Sequence, residues 1–234
     1  EGLSPADPSR ELLFGAASQM QAKVTIENDP IELRQTNSKT SPIAHMAVFF
    51  IFLTVQFSFL SLHSERAEGT LGRMLAAPIR PRDILLGKAL VGFVLGMASL
   101  MILALVSIPL LGARWGSPAG VVLLMVAVTA AAMGVMGAAA TFAKTFEQAN
   151  SMGTVVAVVL GLLGGSFFPT YLGPDVMARL SLATPHAWWI RGLGDLAPKG
   201  AGVSDAFPAA FVLFAFALAT GAFALWRARK LMPQ

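Results

Sequence analysis

The chain has no cysteine and few charged residues, and these two absences exclude several classes of protein. Without cysteine there can be no disulfide framework, thiolate metal site or cysteine nucleophile. Only 13% of the 234 residues are charged, whereas 55% are hydrophobic, and long stretches contain no charge at all. A soluble helical bundle would need a charged face on each helix. The composition therefore predicts an all-α integral membrane protein.

Motifs for nucleotide binding, zinc catalysis and ion coupling are also lacking. Gly87-Lys88 is followed by Ala89 and lacks the upstream glycine of a phosphate-binding loop. There is no HExxH motif, and the apolar stretches contain no acidic residue or lysine of the kind that ion-coupled carriers bury at the membrane midplane. We therefore expect no catalytic residue, metal site or cofactor on this chain. An ion-coupled secondary transporter and an intramembrane hydrolase are the alternatives, although none of the three histidines lies deep in an apolar stretch.

Five stretches are long and apolar enough to cross a bilayer, for which about 20 residues are needed. They cover residues 43–62, 89–111, 120–142, 152–168 and 207–226. Residues 43–229 are thus predicted to form one transmembrane domain, followed by a short tail at 230–234. Lys and Arg of short loops stay in the cytoplasm, so the basic connection 63–88 and the C-terminus are expected on that side. The same rule accounts for the net charge of +4 without a nucleic-acid partner.

A polar stretch, residues 1–42, precedes the first predicted span. It has no basic-then-apolar targeting segment, and it begins with Glu1 instead of Met. In the orientation given above it lies outside the cytoplasm. We therefore expect it to be the end of an extracytoplasmic segment that follows a further span, which gives a parent protein with six spans.

Polar and small residues inside the spans point to contacts between helices. Gln56 lies deep in the first span, where it either forms an interhelical hydrogen bond or lines a substrate path, while His45 lies near the span end, within reach of interfacial water. Gly161, Gly164 and Gly165 have the density and spacing that let helices pack closely.

The segment 169–206, after the fourth span, is neither a span nor a polar loop. Pro174 and Asp175 can start one short helix, and Thr184 can cap a second helix that has Pro185 at its first position. We expect two short interfacial or re-entrant helices here. Trp188 and Trp189 are of the amphipathic type that collects among lipid headgroups, and both are predicted to be interfacial anchors.

The connection 63–88 combines acidic, apolar and basic residues. Leu71, Met74 and Leu75 have helical spacing, which predicts a short amphipathic helix that ends near Pro78. Such a helix could rest on lipid. Its acidic neighbours Glu65 and Glu68 would be unfavourable against an anionic leaflet, however, which favours a protein partner.

These motifs resemble those of the permease subunits of ABC-2 type ABC transporters. The resemblance covers Pro42 to the C-terminus, and its specificity lies in the order of several motifs that are weak individually. The matching residues are Glu65-Arg66, Glu68-Gly69-Thr70-Leu71, Arg73, Leu75, Pro78 and Gly87-Lys88, then Ala143-Lys144-Thr145, Glu147-Gln148-Ala149, Gly164-Gly165-Ser166-Phe167-Phe168-Pro169, and Pro185 with Trp188. One departure is that Glu68 directly precedes Gly69, where the family often has a residue between them.

The resemblance implies a six-helix half-transporter that pairs with a second copy or a paralogue and docks on a separate cytoplasmic ABC ATPase. That partner would hold ATP and Mg. It also implies export across a cell membrane, the inner membrane in a bacterium, of a substrate of the drug, lipid or glycan class. The apolar spans favour a hydrophobic or amphipathic substrate. The docking element would be a coupling helix that uses Glu65, Arg66, Glu68, Gly69, Thr70, Leu71, Arg73, Met74, Leu75 and Pro78.

Overall fold

A computed structural model describes residues 40–231, except for 71–72, 74–80, 171–172 and 199. The described part of the chain is helical and contains no strand. Five of its helices are long and apolar enough to cross a membrane, which confirms the prediction of an all-α, multi-pass integral membrane protein. The elements are α1 (Thr40–Ala67), α2 (Pro81–Leu111), α3 (Pro118–Ala140), α4 (Phe146–Gly164), α5 (Asp175–Ser181), α6 (Pro185–Asp195), a 3-10 turn (Val203–Ala206) and α7 (Phe207–Leu231).

The spanning helices differ in their ends from the predicted apolar stretches. Helix α1 continues to Ala67 and α2 already begins at Pro81, so both extend into the connection 63–88. Helix α4 begins after Thr145, whose hydroxyl accepts a hydrogen bond from the Gln148 N–H, and it ends at Gly165, which has a φ of 88°. Composition locates the part of a helix that lies in lipid, whereas polar turns at its ends are recognised only by their capping contacts.

Helix α3 is the centre of the bundle. It packs along α7 and also contacts α1, α2 and α6. Most of its length is buried, whereas α2, α4 and α7 are largely exposed on the surface of the bundle. The buried face of α3 consists mainly of Ala, Gly, Val and Met, and such small side chains let neighbouring backbones approach where no hydrophobic effect drives association.

Two ends of the bundle can be distinguished. At the connector end, α1 ends, α2 begins, and the connector (residues 68–80) joins them. The α5–α6 end carries the start of α1, the loop 112–117 and residues 165–206. The Thr40 hydroxyl accepts a hydrogen bond from the Arg114 N–H at 2.8 Å and donates to its carbonyl at 3.0 Å, which fixes the loop 112–117 to the start of α1.

The two short helices predicted after the fourth span are present as α5 and α6. Thr184 caps α6 through the Ala187 N–H, and Pro185 occupies the first turn, as its sequence position predicts. The prediction that Trp189 is a headgroup anchor is wrong. Its side chain is fully buried, and its indole N–H donates to the Ala44 carbonyl at 2.9 Å, because α6 packs inward against α1. Trp188 is half-buried and donates to the Leu182 carbonyl.

Close packing of α3 on α7 predicts different effects for two Gly-to-Ala substitutions. At Gly134 a Cβ would collide with Thr220 Oγ1 and lie 2.9 Å from the Ala217 carbonyl oxygen, whereas at Gly221 a Cβ would meet nothing within 4 Å. Both changes gain up to about 1 kcal/mol of helix propensity. Gly134→Ala should nevertheless destabilise the protein by about 1–3 kcal/mol relative to Gly221→Ala, because it overpacks the interface. Thermal unfolding in detergent measures the difference, and equal midpoints would contradict this packing.

Candidate functional site

An ion pair joins the two helices on either side of the connector. Lys88 Nζ, on α2, lies 2.7 Å from Glu65 Oε1, on α1, and also donates to Ser61 Oγ at 2.9 Å. The Ser58 hydroxyl donates to the Lys88 carbonyl at 3.1 Å. The side chains of Lys88 and Glu65 are only 17% and 28% exposed, so solvent screens their attraction less than at a fully exposed surface pair.

The residues after Glu65 turn the chain out of α1. Gly69 has a φ of 71°, and the Thr70 hydroxyl donates to the Glu65 carbonyl at 3.1 Å, which satisfies one of the free carbonyls at the helix end. Glu68 is exposed at this turn, and Arg73 is exposed on a helical backbone. The backbone of Arg66 belongs to α1, but its side chain lies outside the described part. Leu71, Met74, Leu75 and Pro78 also lie outside the described residues, and so does the amphipathic helix predicted from them.

The structure separates two acidic residues that the sequence analysis grouped together. Glu65 is held by Lys88 and by the packing of α1 on α2, whereas the Glu68 side chain is exposed at the connector. The sequence offered no signal for this pairing, since Glu65 and Lys88 both stood inside a single predicted loop. Glu65 thus fixes the two ends of the connector, and Glu68 and Arg73 are the charged residues with described, exposed side chains within it.

Other groups at the connector end hold the 141–145 turn between α3 and α4. The guanidinium of Arg227, on α7, stacks 4.0 Å from the Phe142 ring centroid, and its Nε donates to the Thr141 carbonyl at 3.5 Å. The Lys144 N–H donates to the Gln148 side chain at 2.9 Å. The connector end is thus a polar surface whose turns are fixed by side-chain contacts.

Gln56 forms an interhelical hydrogen bond. Its amide nitrogen donates to both the backbone carbonyl and the side-chain oxygen of Asn150, on α4, at 2.9 Å each, and its own oxygen is buried without a partner among the described residues. Asn150, Ser151 and Thr154 are exposed on α4 beside this contact. Exposed polar side chains within a span are unfavourable against lipid, and three of them lie close together on this part of α4.

The three glycines near the end of α4 have different surroundings. At Gly161 a Cβ would lie 3.2 Å from Phe49, on α1, and at Gly164 it would collide with His186, on α6. Both positions therefore permit close contacts between elements. Gly165 instead adopts a left-handed conformation that ends α4, and its carbonyl accepts a hydrogen bond from His45 Nδ1 at 2.7 Å. His45 thus bonds to protein, where the sequence analysis expected interfacial water.

His186 is a buried polar residue that the sequence analysis did not single out as functional. Its ring packs 4.3 Å from the Phe52 ring centroid, and neither nitrogen has a hydrogen-bond partner among the described residues. Burial lowers the pKa of His186 to about 3, because an unpaired charge there would lose its hydration. The Ser166 hydroxyl is buried without a partner as well, so these two residues do not form the nucleophile–base hydrogen bond of a hydrolase.

Within the described ranges, no group of three or more His, Asp and Glu residues could hold a metal ion.

Comparison with known proteins relates the chain to membrane permeases. The sequence profile of the family described as ABC-2 type transporter matches residues 12–196. The linearmycin resistance permease protein LnrN of Bacillus subtilis (strain 168) is 27% identical over 193 residues, which are 82% of this chain and 50% of that protein. The inner membrane transport permease YhhJ of Escherichia coli (strain K12) is 24% identical over 236 residues, with 94% of this chain and 62% of that protein covered. The chain thus spans between half and two thirds of these curated relatives, and no solved structure matches it.

The ion pair predicts unequal effects of two neighbouring acidic residues on stability. Glu65→Ala leaves Lys88 largely buried without its partner and should lower the free energy of unfolding by about 1–3 kcal/mol. Glu68→Ala removes an exposed side chain and should change stability by less than about 0.5 kcal/mol. A double-mutant cycle of Glu65→Ala with Lys88→Ala, read by thermal unfolding, gives the coupling between them. Additive effects of the two substitutions would show that the ion pair is not a stabilising contact.

The burial of His186 predicts a pH dependence of stability. Above pH 6.5 the imidazole is neutral in both the folded and the unfolded chain and contributes no pH dependence. Below pH 6.5 the unfolded chain takes up a proton that the folded chain refuses until about pH 3, so stability falls as the pH falls. In His186→Gln the contribution of the imidazole to this pH dependence disappears. The free energy of unfolding of the wild type should therefore fall by up to about 1.4 kcal/mol more per pH unit than that of the variant. Unfolding midpoints between pH 7.5 and about 4.5 test this, and parallel curves would refute a buried neutral imidazole.

Proposed function

Because this chain belongs to the ABC-2 type transporter family, we propose that it is the membrane-spanning permease part of an ATP-driven transporter. Energy comes from a separate cytoplasmic ATPase, which binds ATP and Mg, and this chain supplies no catalytic group. Two copies, or this chain and a paralogue, enclose the substrate path. The name of YhhJ refers to an inner membrane, which supports the same location for this protein in a bacterial cell.

The observation that carries the proposal is that the helix ends on either side of the connector are held together, with exposed charges between them. The Glu65–Lys88 ion pair and the Ser58 hydrogen bond hold the ends of α1 and α2 together. Glu68 and Arg73 are exposed between these ends and are available to a protein partner. The sequence has no phosphate-binding loop, so nucleotide-driven work on this chain requires such a partner.

In the proposed mechanism the ATPase docks on the connector and displaces it when ATP binds or is hydrolysed. Glu68 and Arg73 make charge-assisted contacts to the ATPase. Because the ion pair fixes both ends of the connector to the spans, a displacement moves α1 and α2 together. The spans then alternate between openings on the two sides of the membrane.

The polar face of α1 and α4 is the proposed side for the second copy and the substrate. The exposed residues Asn150, Ser151 and Thr154 avoid lipid when this face meets another permease or a hydrated path. Gln56, whose amide oxygen has no partner among the described residues, lies at its edge. Phe50 and Phe57 on α1 and Val155 and Val159 on α4 are exposed apolar residues of the same two helices.

We propose export of a hydrophobic or amphipathic compound of the drug, lipid or glycan class. The mixed polar and apolar character of the α1–α4 face supports an amphipathic cargo. One relative is named a resistance permease, which supports export. The described spans hold no charged residue near their centres, so an ion-coupled carrier gains no specific support, and neither does a hydrolase.

Charge reversal on the connector tests this function. Glu68→Lys combined with Arg73→Glu should lower transport by the complete transporter about tenfold while the ATPase still hydrolyses ATP, because docking contacts of this kind contribute strongly to binding. The matched control is Asp175→Lys with Arg179→Glu, an exposed pair at the α5–α6 end, which should leave transport unchanged. ATP hydrolysis and transport are measured in proteoliposomes. Normal transport by the connector variant would refute the proposed docking surface.

A further inference from the structure

A cavity opens at the α5–α6 end of the bundle, away from both the connector and the polar α1–α4 face. Its volume is about 760 Å³, and it lies between the last turns of α2, the loop 112–117, the start of α3, and residues 196–198 and 200–201. Volumes of this order are typical of sites for small molecules. Because it adjoins the ends of two spanning helices, the cavity lies where hydrocarbon meets lipid headgroups.

The walls of the cavity are apolar. On α2 they comprise Met101, Leu105 and Ile108, and on α3 they comprise Val122 and Met125. Leu105 is 61% exposed and Ile108 is 49% exposed, so this wall is continuous with the lipid-facing surface of α2. An acyl chain can therefore enter the cavity from the bilayer without crossing a polar barrier.

One charged side chain lines the cavity within the described residues, and that residue is Arg114. Among the described lining residues there is no aspartate or glutamate. Ser117 and Pro118 also line the cavity, and Ser117 makes no side-chain cap on α3. The positive end of the α3 dipole therefore adds to the field of Arg114, and both favour an anion.

The backbone that carries Arg114 is held in place by its neighbours. Thr40 hydrogen-bonds to both its N–H and its carbonyl. The next residue, Trp115, is buried and donates its indole N–H to Ser107 Oγ on α2 at 2.9 Å. Gly116 approaches the Leu196 carbonyl so closely that any Cβ would collide with it. The backbone that carries the cation is thus fixed relative to the apolar walls before a ligand arrives, which lowers the entropic cost of binding.

From this arrangement we propose that the cavity binds an anionic glycerophospholipid of the surrounding leaflet. The phosphate accepts hydrogen bonds from the Arg114 guanidinium, which suits phosphate geometry, and an acyl chain lies along Met101 and Leu105 of α2. A headgroup with net negative charge is preferred to a zwitterionic one, because the described lining residues include the Arg114 cation and no acid. The bound lipid covers the gap between α2 and α3 at the membrane surface.

Retention of lipid by the purified protein tests this proposal. The complete protein is extracted from vesicles of phosphatidylglycerol and phosphatidylcholine in equal amounts, and the retained lipids are counted by native mass spectrometry. The wild type should retain phosphatidylglycerol in preference. Arg114→Gln should lower that preference about fivefold, the contribution of one basic residue near an anionic surface. Arg179→Gln is the matched control, since Arg179 is exposed at the same end but does not line the cavity.

A second variant tests the apolar part of the site. Ala201→Phe fills the cavity without changing charge, and it should reduce the amount of retained phosphatidylglycerol. Inorganic phosphate added to the wild type should not displace the lipid. Size-exclusion profiles show that each variant is folded. The proposal would be overturned if the wild type retained both lipids equally, or if Arg114→Gln and Arg179→Gln lost the preference for phosphatidylglycerol to the same extent. It would also be overturned if Ala201→Phe retained as much phosphatidylglycerol as the wild type.

Discussion

Backbone N–H and carbonyl groups inside a bilayer have no water to bond, and this constraint decides where the chain can be irregular. The five spans satisfy their own backbone groups as helices, so turns and polar contacts concentrate at the two ends of the bundle. At these two ends, the turns are held in place by hydrogen bonds and an ion pair of side chains. Thr40 fixes the loop 112–117, Thr145 begins α4, and Glu65 with Lys88 joins the helix ends on either side of the connector. These contacts therefore hold the helix ends and the loop 112–117 relative to the spans.

Inside the bundle, association depends on the small residues of α3. Lipid tails are as apolar as leucine, so helices gain little from hydrophobic burial and pack through close van der Waals contact. Gly134 lets α3 approach the backbone of α7, and Gly192, on α6, lies against Leu124 of α3. Helix α4 packs less extensively than α3 on the other helices and is largely exposed. The same chain thus combines a closely packed centre with a peripheral helix that is open to a partner.

The sequence predicted the number of spans because about 20 apolar residues are required for each crossing, and this requirement is local. It also predicted the start of α6, since Thr184 and Pro185 form a local capping pattern. Contacts between distant residues were not predictable in the same way. Trp189 was expected among headgroups from the average behaviour of its residue type, but the packing of α6 on α1 buries it. The pairing of Glu65 with Lys88 depends on helix ends that composition does not reveal.

Helix α1 takes part in side-chain contacts at both ends of the bundle. It is 28 residues long, or about 42 Å, and has no proline or glycine after Pro42, so it lacks the residues that commonly kink helices. At the connector end it carries Glu65. At the other end the Ala44 carbonyl accepts the Trp189 N–H, and His45 bonds to the Gly165 carbonyl. In the proposed transporter, a displacement of the connector therefore reaches α6 and the end of α4 through one stiff helix. Because α6 also packs against α3 and α7, the far end of the bundle can respond without any change in secondary structure.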